Sequence, residues 1–312
     1  MTEKILTKLT AEYDNADVPR RFQIQSEVTQ DLDALAESVF NLFLNKTPNL
    51  SAWTKNIQGC LNRFPSLNNK LVYSLNRKIS NWLFTKMQNS HSAKMRALAK
   101  IFTSGSRNLK FNTFSWLQQN EFFQEKGGYQ FFQNWIFLDL ERVSPEELLF
   151  VFVHELAHEL DTTLKSNLDI FNNYKVTEII YSTQNLTPAN LDRIDHWLQA
   201  SLQIHFLAEW RAWLFTYEIY RDLINLDHIP PVDWLEKKIP DVAKLPAELL
   251  TSKVFNFLDK KFYDPTNEYP FDIPILKERL LSLRETLRNS QTLPQQDPCL
   301  ANLTQNTCPS EK

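Results

Sequence analysis

Glycine is nearly missing from this chain of 312 residues: only four are present, at positions 59, 105, 127 and 128, where ordinary usage would supply roughly twenty. Neither GxGxxG nor GxxxxGK[ST] can be written with those positions, so a glycine-built phosphate cradle is excluded. Cysteine is sparse too. Cys60, Cys299 and Cys308 make an odd count without CxxC spacing, which argues against a disulfide framework and a structural zinc ribbon. An excess of one charge is also lacking: 34 basic and 37 acidic side chains leave a net charge of −3. They are interspersed, so no footprint for nucleic acid is visible. No apolar run approaches the about 18 residues that read as a membrane span. Met1 to Arg21 carries Glu3, Lys4, Lys8, Glu12, Asp14 and Asp17 in place of the apolar core of a signal peptide. The expectation is a soluble cytoplasmic protein without a transmembrane segment.

What is present is ordinary globular material, 43% hydrophobic and 23% charged, arranged mostly at helical spacing. Residues 1–125 read as a helical N-terminal region, with apolar positions such as Leu32, Leu35, Ala36, Val39, Phe40 and Phe43. Helix starts are expected at Ser26, at Thr47-Pro48 and at Ser90. The pattern breaks at Gly127-Gly128. There the aromatic run from Tyr129 to Leu140 predicts a strand. Ser144-Pro145-Glu146-Glu147 then opens a helix with an N-cap serine, proline at the first helical position and a glutamate that completes a capping box. That helix is expected to reach Leu164. A polar stretch follows, then a long helix over 189–226 and shorter ones near 247–262 and 274–289. The polar, proline-containing segment 291–312 reads as a disordered tail. The fold class is α+β, predominantly helical, with a small sheet. A core and C-terminal helices occupy 126–290.

Chemistry is concentrated in the Pro145 helix, which reads Phe152-Val153-His154-Glu155-Leu156-Ala157-His158-Glu159-Leu160-Asp161. His154 and His158 are one turn apart, about 40° in rotation and about 6 Å along the axis, so two imidazoles can converge on one ion. Glu155 lies near the edge of that face, where its carboxylate can serve a metal-activated water without becoming a ligand. Zinc lowers the pKa of such a water towards about 7, and the carboxylate takes its proton as hydroxide attacks a carbonyl. The bland alternative is an ordinary amphipathic helix, its Leu148, Phe152 and Leu156 stripe buried beside solvated histidines.

The HELAH sequence at 154–158, in an apolar helix preceded by an aromatic strand, resembles the zincin metallopeptidases. The resemblance covers the motif and its flanks. It implies a zincin-like core in which an edge strand, here 134–140, lines a cleft and receives an extended peptide as an added strand. The metzincin continuation fails, because Asp161 and Leu164 stand where it needs glycine and histidine. A glutamate on a later helix is the gluzincin solution. Glu209, in Ala208-Glu209-Trp210-Arg211-Ala212, is similar to the E-x-x-A ligand helix of that group. Glu178 is a rival, at a thermolysin-like distance from His158, although Ser182 breaks the accompanying ExxxD pattern. His205, one turn before Glu209, is another.

The reading therefore predicts a zinc metallopeptidase of gluzincin type: His154, His158 and Glu209 as metal ligands, Zn²⁺ as cofactor, Glu155 as general base, and a peptide or protein as substrate. The alternative is a catalytically silent protein that keeps the frame as a metal-binding or interaction module. Asp161 has two readings, an acceptor for an imidazole N–H or a solvated acid in the last turn. An oxyanion donor is expected among His205, Tyr217, Tyr220 and His228, which the sequence does not rank.

Overall fold

The computed structural model describes residues 5, 8–46, 63–103, 110–112, 126–130, 135–140, 142–167, 187–262, 282, 285 and 298–303. They are predominantly helical and contain one three-stranded sheet. By packing, the chain divides into two compact units, Met1–His91 with Leu98–Leu156 and Ser92–Ala97 with Ala157–Lys312.

In the first unit, short helical turns at Lys8–Glu12 and Tyr13–Asn15 lead into α1, Val18–Leu44. The start is Asp17 and not Ser26: the Asp17 carboxylate accepts from the Arg20 N–H at 3.0 Å, and a proline follows in the first turn. Ser26 is interior to the helix, since a capping residue with no break in periodicity around it starts nothing. The stripe of Leu32, Leu35, Ala36, Val39, Phe40 and Phe43 is buried. Helix α2, Pro65–Gln88, packs beside α1 and buries Leu67, Leu71, Leu75, Ile79 and Leu83. Helix α3, Ala93–Thr103, whose first turns belong to the second unit, is preceded by Ser92, whose hydroxyl accepts from the Met95 N–H at 3.4 Å, so Ser92 does what was expected of Ser90. The start expected at Thr47-Pro48 lies outside the described residues.

The aromatic run is not one strand. Strands β1 (Lys110–Asn112), β2 (Gly127–Gln130) and β3 (Trp135–Leu138) form a sheet of order β1-β3-β2. Strand β3 pairs parallel with β1 and antiparallel with β2, in register Phe111↔Ile136 and Gly128↔Phe137. Two corrections follow. Gly127-Gly128 does interrupt the helical pattern, but it belongs to the strand rather than preceding it. The strand found within the expected edge at 134–140, β3, is also not an edge: both of its sides are occupied by neighbours, so a peptide cannot add to it.

Gly127 has a steric duty. A Cβ there would stand 2.5 Å from Val151 Cγ1 and 2.9 Å from the Phe137 carbonyl oxygen. Val151 lies on α4, Pro145–Leu160, so the missing side chain lets β2 rest directly on that helix. Gly127→Ala should destabilise the protein by about 1–3 kcal/mol through overpacking. A thermal melt coincident with wild type would show that the strand can retreat.

Helix α4 begins as its sequence predicts. The Ser144 N–H donates to Glu147 Oε2 at 3.0 Å and the Glu147 N–H to Ser144 Oγ at 3.3 Å, a complete capping box. It ends four residues before the expected Leu164, because Asp161 leaves helical geometry and caps a new helix, α5, Thr162–Ser166.

The second unit is organised by α6, Pro188–Leu226, a 39-residue helix capped by Thr187, whose side chain accepts from the Asn190 N–H. Helix α7 (Asp233–Glu236), a 3-10 turn at Val242–Lys244 and helix α8 (Ala247–Phe262) follow, and α8 packs along α6. Of the helix expected at 274–289, only Ser282 and Glu285 are described, both helical. Within the segment expected to be a disordered tail, Pro298–Ala301 forms a short helix, α9, and Leu300 and Leu303 are buried. Two leucines at helical spacing suffice to dock a polar segment when a core accepts them. Among the described residues no helix is long and apolar enough to cross a membrane.

Candidate metal centre

Helix α4 is buried on every side from Phe150 to Leu160, as a helix surrounded by protein is. Leu148, Phe152, Val153, Leu156 and Ala157 are fully enclosed. Into this interior the chain sends polar groups in quick succession: His154, Glu155, His158, Glu159 and Asp161 are 7%, 6%, 5%, 1% and 1% exposed. Solvated histidines beside a buried stripe are therefore not what the structure contains. Acidic and basic side chains are rarely enclosed to this degree unless something compensates them, since an uncompensated buried charge costs several kcal/mol.

For three of these groups the compensating partner is as follows. Glu159 lies 3.4 Å from Lys165 Nζ. Asp161 Oδ1 accepts from the Leu164 N–H at 2.8 Å, and its Oδ2 accepts from Arg211 Nε at 2.6 Å, with both side chains almost wholly enclosed. Asp161 is thus neither a solvated acid nor simply a partner for an imidazole: it is a buried cap and half of a buried ion pair. The third group is His158, whose Nε2 stands 3.2 Å from Glu209 Oε1.

That last contact brings in α6. Glu209 lies on the same helix as Arg211, so the Asp161–Arg211 pair fixes the end of α4 against the part of α6 that carries Glu209. His154 precedes His158 by one turn of the unbroken α4. One ligand atom from each of His154, His158 and Glu209 falls within 4.8 Å of the other two. The Nδ1 atoms of both imidazoles are sealed inside the protein, which leaves Nε2 as the natural donor.

The donor set suits a hard-to-borderline divalent ion. Two ligands held about 2.0–2.1 Å from a tetrahedral zinc stand about 3.3 Å from each other, which the His158–Glu209 separation matches. Two neutral imidazoles and one carboxylate leave a fourth position for water, as catalytic zinc sites do.

The rivals fall differently. His205 Nε2 is 3.8 Å from Glu209 Oε1, and its side chain is more than half exposed at the border of the site; it is outside the three-residue ligand group. Glu178 lies outside the described residues. Of the four groups considered as oxyanion donors, two have their hydroxyls engaged elsewhere. Tyr217 donates to the Leu235 carbonyl at 3.0 Å, while Tyr220 donates to Glu236 at 2.8 Å and accepts from the Val232 N–H. Burial pushes both phenols well above the usual tyrosine range, so they stay protonated. His228 sits at a left-handed turn, with φ of 52°. His205 is the one of the four that stands beside Glu209.

Sequence reasoning missed two partners of the site. Arg211 stands in the sequence only as part of the Glu209 motif, yet its partner is Asp161. Trp213 drew no role from the sequence, yet its Nε1 donates to Glu209 Oε2 at 3.2 Å. Helical spacing carried that second signal, because Glu209 and Trp213 are one turn apart on one face. Comparison with protein-family models, with curated proteins and with solved structures returns no match, so what the site does has to be argued from its own residues.

Proposed function

We propose that the chain is a zinc-dependent metallopeptidase in which His154, His158 and Glu209 hold the ion and Glu155 is the general base. The observation that carries the reading is the approach of Glu209, from α6, to 3.2 Å from the second histidine of the HELAH helix. Chance burial of a histidine pair does not require a carboxylate from a distant part of the chain to arrive there. Glu155, one residue after the first histidine, adds support: a purely structural ion needs no such base.

Zinc, when bound, supplies a Lewis acid that acidifies water and polarises a carbonyl. The protein's residues do the rest. Glu155 accepts the proton of the attacking water as the C–O bond forms, then delivers it to the nitrogen of the departing amine as the C–N bond breaks. The carboxylate is restored, and the products are an acid and an amine. Enclosure of α4 in apolar side chains keeps bulk water from screening these charges.

The purified chain is expected to hold about one zinc per molecule after reconstitution, to lose it in His154→Ala with His158→Ala, and to bind it far more weakly, through the two histidines alone, in Glu209→Ala. It should also cleave some member of a panel of denatured proteins. Elemental analysis that finds no metal in wild type, or undiminished metal in the double-histidine variant, removes the reading.

A further inference from the structure

Glu209 is held by more than the site it serves. Its carboxylate has one oxygen, Oε1, 3.2 Å from His158 Nε2, and the other, Oε2, accepting from the indole Nε1 of Trp213. A free glutamate side chain keeps about 1.5–2 kcal/mol of rotamer entropy, and with both oxygens available it would reorient between them. The indole removes that choice.

The indole itself cannot move easily. Trp213 is buried, and its ring centroid stands 5.9 Å from that of Tyr217, 5.4 Å from Trp234 and 5.6 Å from Phe257. The Lys238 ammonium lies 5.1 Å from the Trp213 ring, 5.6 Å from Trp234 and 4.9 Å from Phe257. A cation against the face of an indole is attracted by the ring's quadrupole, and it draws electron density away from the N–H, which makes that N–H a better donor. Helices α6 and α8 and the turn after α7 therefore converge on one ring, and that ring touches Glu209.

We infer that Trp213 is a positioning residue for the metal centre: its indole N–H fixes Glu209 Oε2, presents Oε1 to the histidines, and so makes Glu209 a one-oxygen ligand. The inference rests on the metal-binding part of the reading above and does not need the peptidase part. Groups that orient a ligating carboxylate from behind commonly control metal affinity as strongly as some ligands do.

The test is zinc affinity by chelator competition, measured on the full chain for wild type, Trp213→Phe, Glu209→Ala and the double variant. Phenylalanine keeps an aromatic ring among Trp234, Phe257 and Lys238 but lacks the N–H. Trp213→Phe should weaken zinc binding by about 10–100-fold. In the Glu209→Ala background, where zinc is held only by the two histidines, the same substitution should change nothing, because its target is gone. A merely structural tryptophan would lower the melting temperature, and affinity would be unchanged or would fall equally in both backgrounds. Either of those affinity results overturns the inference while leaving the metal site intact. A wild-type chain that binds no zinc overturns both together, and a zinc-binding chain with the expected Trp213→Phe loss but no hydrolysis leaves the inference standing and removes only the peptidase.

Discussion

Arg211→Met should be among the most destabilising single substitutions in the second unit, costing about 3–5 kcal/mol. The arginine side chain is 5% exposed and its partner Asp161 1% exposed, so methionine leaves a carboxylate in the interior with its strongest partner removed. Hydrophobic burial does not compensate. Methionine roughly matches the arginine stem in volume, and the loss arises from the stranded charge rather than from a cavity. The control is the double variant Asp161→Asn with Arg211→Met. Asparagine can still accept from the Leu164 N–H, preserving the cap on α5, but carries no charge to strand. It should therefore recover part of the lost stability despite being the more heavily altered protein. Urea unfolding reads both. If Arg211→Met shifts stability by less than about 1 kcal/mol, the pair is not the clamp described here. Zinc affinity should fall in the single variant as well, since the pair joins the end of α4 to the segment of α6 that bears Glu209.

The elements legible in the sequence were those specified locally. The capping box at Ser144 needs only residues 144 and 147, and the structure contains both of its hydrogen bonds. The pairing of His154 with His158 needs only helical spacing. Helix α6 was legible over 189–226 from its unbroken run of helix formers, one residue short of its start at Pro188, where Thr187 caps it. The hairpin was not. A period-two pattern of aromatic residues is the same for one long strand as for two short ones, and the run from Tyr129 to Leu140 has no Asn-Gly or Asp-Gly to announce a turn. Reading it as one strand also made β3 an edge, when β1 and β2 flank it.

At the site, the difference is between spacing and distance. Glu209 was readable because it shares a pattern with a known ligand helix. Arg211 and Lys238 were not, because their partners are remote in sequence: Asp161 for the first, and Trp213, Trp234 and Phe257 for the second. Asp161 shows the same limit from the other side. Its spacing from His158 suggested a helix-face role, but Asp161 ends α4 and turns its carboxylate to Arg211 and to the next helix. Leu300 and Leu303 show it at low hydrophobicity, since a composition that cannot build a core can still dock on one.

The largest expected effect on activity is that of Glu155→Gln: hydrolysis falls on the order of 10³-fold, within the 10²–10⁴ range of a lost general base, while zinc stays bound. Glutamine matches the shape of the glutamate and occupies the same enclosed position on α4, where Glu155 is 6% exposed. It is outside the ligand group of His154, His158 and Glu209, so metal content should not change. Fold stability should not drop either, because an amide in place of a buried carboxylate lowers the cost of desolvation. The three readouts together separate the possibilities. Activity lost with zinc and melting temperature retained identifies a base. Activity equal to wild type means that another group accepts the proton, and Glu155 is then only a buried acid. Zinc lost with activity would make Glu155 part of the ligand set, contrary to the geometry of the site. A wild-type chain that binds zinc at His154, His158 and Glu209 but cleaves nothing would favour the silent metal-binding module, and Glu155→Gln would then change none of the three.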